Sequence, residues 1–97
     1  MSVSEKDIYR TSIEQIIISE EDDGIYIYNF TTGKEFKTNE TGKEILEMCN
    51  GKRNTNEIAK ELAKKHEENQ DAVLRDVKNF LGLALKEGLV KEVKNEK

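Results

Sequence analysis

The sequence predicts one α+β domain in which a three-stranded antiparallel β-sheet precedes three α-helices. Three observations predict it. Between Ile16 and Lys37 the apolar residues recur at the period of a strand and are interrupted by two turn signals, Asp23-Gly24 and Thr31-Thr32-Gly33. From Asn39 onward the period becomes that of a helix, with asparagines where helices would start and Gly51 and Gly88 where they would stop. The chain has 97 residues, 35% of them hydrophobic and 37% charged, enough for one modest core and not for two.

The elements follow in order. Residues Met1 to Asp7 are polar and expected to be loose, and the apolar signal opens around Ile8 or Ile13. Ile16-Ile17-Ile18, three β-branched residues in a row, make the first strand of the sheet, with apolar contacts on both faces. Asp23-Gly24 turns the chain, and Ile25, Ile27 and Asn29 then alternate with Tyr26, Tyr28 and Phe30 across the second strand. Lys34 to Lys37 return as the third strand with Phe36 directed inward, completing a meander whose last member is an edge.

Asn39 is a suitable cap for a first helix that buries Ile45, Leu46, Met48 and Cys49 and ends at a left-handed Gly51. Gly42 inside this helix costs about 1 kcal/mol against alanine, which implies close approach of another backbone. Asn54 and Glu57 stand at capping-box spacing before a second helix carrying Ile58, Leu62 and His66 on one face. The third helix is expected over Asp71 to Glu87, with Leu89 and Val90 folding back and Lys91 to Lys97 fraying. The ordered core is thus placed at residues 8–90, with loose ends at 1–7 and 91–97.

Composition removes several classes of function. Twenty acidic residues against sixteen basic ones give a net charge of −4, which offers a phosphate backbone no electrostatic attraction. One cysteine and one histidine cannot build a structural zinc site alone, and a lone cysteine suits a reducing, cytoplasmic setting. No signal peptide is visible, and the longest run free of polar side chains, Phe80 to Leu85, is far too short to cross a membrane. No nucleic acid or membrane partner is therefore expected.

Catalytic residues are also hard to find. His66 falls at helical spacing from Ile58 and Leu62, as a residue at the rim of a core does. Cys49 lies on the apolar face of its helix, and Glu20 to Asp23 read as a solvated hairpin tip, since they lack the ligand spacing of a calcium loop. No metal, no cofactor and no catalytic group is assigned, and the chain is read as a non-enzyme.

What remains is shape. On the third helix Val73, Val77, Phe80 and Ala84 form one apolar line, and Leu74, Leu81 and Leu85 form a second beside it. If the first line faces the core, Leu74, Leu81 and Leu85 are left near a surface groove, flanked by Arg75 and Lys78. An extended peptide can add itself to an exposed strand through main-chain hydrogen bonds and place alternate side chains in such a groove. Equally, Lys34 and Lys37 suit the ordinary task of guarding an edge against aggregation.

The succession of an Asp-Gly hairpin, a returning strand, Asn39-Glu40-Thr41-Gly42, Ile45-Leu46, Asn50-Gly51, Asn54 to Ile58, Leu62, Asp76-Val77, Phe80-Leu81, Leu85 and Gly88-Leu89-Val90 resembles the PqqD-like family, the recognition elements for precursor peptides of ribosomal natural products. The resemblance spans about Ile13 to Val90. It implies a winged-helix-like arrangement that binds the leader part of a precursor as a fourth strand, between the third strand and the third helix. Carried onto this chain, it nominates Lys34, Glu35, Phe36 and Lys37 as the pairing strand, with Leu74, Arg75, Lys78 and Leu81 on the facing helix. Arg75 and Lys78 would then favour acidic leader residues.

The implied partners are a leader peptide and a separate modifying enzyme of the radical S-adenosylmethionine type. A monomer or a weak dimer fits the pattern. Two positions depart from the family: Thr38 stands where many members have leucine, and Asn54 where threonine is common. The rival reading is a winged-helix transcription regulator presenting Asn69, Gln70, Arg75 and Lys78 to DNA, although Asp71 and Asp76 beside them would be repelled.

Overall fold

A computed structural model describes residues 3–93. The chain runs β1 (Ile8–Thr11), β2 (Ile16–Glu21), β3 (Gly24–Asn29), β4 (Lys34–Thr38), α1 (Glu40–Met48), β5 (Asn50–Asn54), α2 (Thr55–His66), α3 (Gln70–Lys86) and β6 (Val90–Val93). The expected meander is present as the antiparallel sheet β2-β3-β4, and a second antiparallel sheet, β5-β1-β6, accompanies it.

In the meander, Ile16 faces Asn29 and Ile27 faces both Ile18 and Phe36. Because side chains alternate across a strand, Ile25, Ile27 and Asn29 share one face, and all three are buried. The other face carries Ile17, Tyr28 and the tip of Tyr26 toward solvent, so the two-faced packing expected of Ile16 to Ile18 is limited to one face. Asn29 sits inside by virtue of its hydrogen bonds: it donates to Glu87 O at 3.0 Å and accepts from Thr31 N at 2.9 Å.

The second sheet corrects the expectation of loose ends. Val90–Val93 forms a strand whose partners run from Ile8 opposite Val93 to Thr11 opposite Val90, so Lys91 to Val93 do not fray. Val3 is buried, and the carbonyls of Glu5 and Asp7 accept from Asn56 N and Thr55 N at 3.0 and 2.9 Å. The segment before β1 thereby satisfies amides that the first turn of α2 leaves without an internal partner. The rest of the expected loose ends, residues 1–2 and 94–97, lies outside the described residues.

The first two helices start after the caps expected for them, and α3 starts at Gln70, one residue before the expected Asp71, after a cap at Asn69. Asn39 accepts from Gly42 N at 2.9 Å, Asn69 from Ala72 N at 3.0 Å, and Asn54 with Glu57 forms the reciprocal capping box at 2.8 and 2.7 Å. The end of α1 differs from expectation: the helix stops at Met48, and Gly51, at φ +85°, bends β5 two residues after the Cys49 cap. Gly42 approaches the Thr38 side chain and the Phe80 ring rather than a backbone. The core joins Ile27, Ile45, Leu46, Ile58, Leu62, Val77, Leu81 and Val90 between the helices and the two sheets.

Candidate functional site

The strand β4 pairs with β3 only, and the C-terminal segment that might have covered it pairs instead with β1. Among the described residues its outer edge therefore has no strand neighbour. In an antiparallel pair alternate residues of an edge strand direct N–H and C=O outward, so β4 presents main-chain groups to solvent over its five residues. The other edge of the sheet, β2, is open as well. What distinguishes β4 is its neighbour.

That neighbour is α3, which runs antiparallel to β4. Lys34 Nζ lies 3.6 Å from Glu87 Oε1 beside the C-terminal end of the helix, while Thr38 shares a cavity of about 290 Å3 with Asp76 and Phe80 near its middle. The cavity continues to Gly42 and Ile45, where α1 meets β4. Phe36 of β4 and Phe80 of α3 are both half-buried and pack against the core. Asn29, bonded to the carbonyl of Glu87, anchors the β3-β4 hairpin to the end of α3 and fixes the spacing of the walls.

The lysines of the edge are both engaged. Lys34 is paired with Glu87, and Lys37 lies 3.7 Å from Asp23 Oδ2 and 5.8 Å from the centre of the Tyr26 ring. The Tyr26 hydroxyl donates to Asp23 at 2.8 Å and, with Lys37 nearby, holds that carboxyl below its ordinary value. Glu35 is exposed on the outer face of the sheet. Of the four strand residues nominated from sequence, Lys34 and Phe36 are directed toward the helical side, Lys34 to Glu87 and Phe36 to the core, while Glu35 and Lys37 lie on the outer face.

The helix residues nominated with them are not brought to β4. Leu81 is fully buried, with 0% exposure, and belongs to the core. Leu74, Arg75 and Lys78 line a separate surface cavity of about 270 Å3 with Asp71 and Asn79. The residues that do face β4 are Asp76, Phe80, Leu83 and Glu87, spaced by four, three and four so that they fall within about 60° on the helix at 100° per residue. Leu74, Lys78 and Leu85 point about 170° away from that direction. Leu83, a leucine 50% exposed on this flank, is the sign that sequence reading passed over.

The remaining candidates are structural. Cys49 is buried, and burial pushes its thiol up to about 12, far from the thiolate that nucleophilic chemistry needs. His66 Nε2 meets Glu44 Oε1 at 2.9 Å, and Lys65 Nζ also contacts that carboxylate, tying α2 to α1. No helix of the described residues is long and apolar enough to cross a membrane.

Among solved structures the chain is similar to TbiB1 in complex with the TbiA(beta) leader peptide, with a TM-score of 0.70 and 19% identity, covering 89% of this chain and 99% of that one. It is similar also to a lasso peptide synthetase B1 complexed with the leader peptide, with a TM-score of 0.66 and 19% identity, covering 89% and 98%. At that identity the likeness establishes the fold. No curated protein matches the sequence. Residues 14–90, most of the chain and all of the edge strand, α1, α2 and α3, match the family described as Coenzyme PQQ synthesis protein D, and the chain belongs to this PqqD family.

Proposed function

We propose that the protein binds the leader segment of a ribosomally made precursor peptide, adding it to β4 as a fourth strand in natural-product biosynthesis. The observation that carries this reading is the edge of β4, without a strand neighbour among the described residues, lying beside a cavity that Thr38 at its end shares with Asp76 and Phe80 of α3. Strand addition supplies register through the main chain, and the cleft supplies apolar contact for every second side chain. The two similar structures are complexes with leader peptides, which supports the same occupant here.

In this reading the protein performs no chemistry itself. It holds the leader and presents the rest of the precursor to a separate modifying enzyme, for which the family resemblance nominates a radical S-adenosylmethionine enzyme. Of the residues nominated from sequence, Lys34, Glu35, Phe36 and Lys37 are kept as the pairing strand. Asp76, Phe80, Leu83 and Glu87 replace Leu74, Arg75, Lys78 and Leu81 as the facing helix.

The test is an amide-shift titration with a synthetic leader peptide of a ribosomally made precursor. The largest shifts are expected at Lys34 to Thr38 and at Asp76, Phe80 and Leu83, and Phe80→Ala should weaken binding. Silence at β4 with shifts around Leu74 and Lys78 would place the site on the other flank of α3. A DNA mobility assay at low salt addresses the transcription-regulator reading, which the net charge of −4 opposes.

A further inference from the structure

Both charged residues on the wall that α3 turns toward β4 are acidic. Glu87 is occupied by Lys34 at one end of the cleft. Asp76 stands at the other end, exposed at the rim of the cavity formed with Thr38, Gly42, Ile45 and Phe80. None of the ion pairs among the described residues includes Asp76. The lining of the cavity is mixed: Thr38, Asn39 and Thr41 are polar, and the apolar part is Ile45 and the Phe80 ring beside Gly42. A carboxylate with no cation among the described residues, one helical turn from an exposed edge of the Phe80 ring, makes two distinct demands on an occupant.

The geometry gives the order in which an extended peptide would meet them. A strand added antiparallel to β4, as the rest of this sheet is paired, runs along α3 from Asp76 toward Glu87. Asp76 and Phe80 are one turn apart, about 6 Å of helix rise. Two residues of extended chain cover about 6.7 Å. Side chains two apart share a face, so the residue opposite Asp76 comes two positions before the one beside Phe80.

We propose that Asp76 selects peptides carrying a lysine or arginine two residues ahead of an apolar residue, the cation meeting the carboxylate and the apolar side chain entering the cavity. The inference rests on the strand-addition reading and specifies its ligand. It also reverses the preference expected when Arg75 and Lys78 are placed at the site. Those two residues lie about a quarter turn or more from the Asp76 direction at 100° per residue.

Random linear peptides displayed on phage, selected in parallel on the wild-type protein and on Asp76→Lys, test it. Wild type should enrich a basic residue two positions before an apolar one, and Asp76→Lys should enrich an acidic residue there. For one synthetic wild-type-selected peptide, exchanging the basic residue for glutamate should weaken binding by up to about tenfold, an effect that shrinks with salt. If Asp76→Lys fails to fold, that peptide exchange on the wild-type protein decides alone. Selected peptides that shift the β4 amides but show no charge preference would overturn the role of Asp76 and leave strand addition standing. Peptides that shift other regions, or no selection at all, would overturn both.

Discussion

Gly42→Ala should destabilise the protein although it replaces glycine by alanine inside a helix. In an open helix the change gains about 1 kcal/mol. Here a methyl built on Gly42 would overlap Thr38 Oγ1 and lie 3.0 Å from Phe80 Cε1 and 3.1 Å from Thr38 Cβ. By far the shortest of these contacts is with the Thr38 hydroxyl, and because the β4 backbone holds that side chain beside α1, relieving it means turning the hydroxyl aside or moving α1 away from the strand. Overpacking of this kind costs about 1–3 kcal/mol. A net loss of about 1 kcal/mol follows, which for a domain of this size lowers the melting temperature by about 4–8 °C.

Urea unfolding of wild type, Gly42→Ala, Thr38→Ala and the double variant completes the cycle. Because Thr38→Ala removes the overlapping oxygen, the double variant should recover most of the loss, with a coupling of about 1 kcal/mol between the two positions. Greater stability of Gly42→Ala alone, or a coupling near zero, would refute the contact between α1 and β4 on which the cavity depends.

Three further outcomes are expected. Lys65 and His66 hold the Glu44 carboxyl below its ordinary value of 4.5, so this group contributes stability above that pH and loses it as pH falls through the lowered folded-state value. The urea midpoint of Glu44→Gln should accordingly depend less on pH below about 4.5 than that of wild type. Asn54→Ala removes the capping box of α2 and should cost about 1 kcal/mol in urea unfolding, with Asn54→Ser close to neutral. Cys49, with its thiol raised to about 12, should react with a disulfide reagent at pH 8 only through opening of the fold, so labelling should accelerate sharply as urea is added; rapid labelling of the native protein would contradict its burial.

The elements that could be read in advance are those whose causes are local. Asn39 and Asn54 with Glu57 mark helix starts by chemistry contained within four residues, and Asp23-Gly24 marks the hairpin in the same way, whereas the Asn69 cap of α3 went unread. The second sheet had no such signal. β5, Asn-Gly-Lys-Arg-Asn, contains no apolar side chain, and β6 is four residues long; both are strands because β1, which ends at Thr11 while β5 begins only at Asn50, lies between them. The edge strand was legible through Phe36. The helical wall was not, because an apolar arc as wide as that of α3 has two flanks, and only packing against β4 decides which one borders the cleft.

The pairing of β1 with β6 brings Ile8 opposite Val93. Glu92 shares a cavity with Gly82 and Leu85, and Val3 Cγ2 comes within 4.0 Å of where a Gly82 side chain would begin, so Val3 and Glu92, near the two ends of the described residues, sit across α3 from β4. An affinity tag, a dye or an entire enzyme joined before Val3 or after Val93 would be tethered on the far side of α3, and immobilisation on a sensor through such a graft would leave β4 facing the solution.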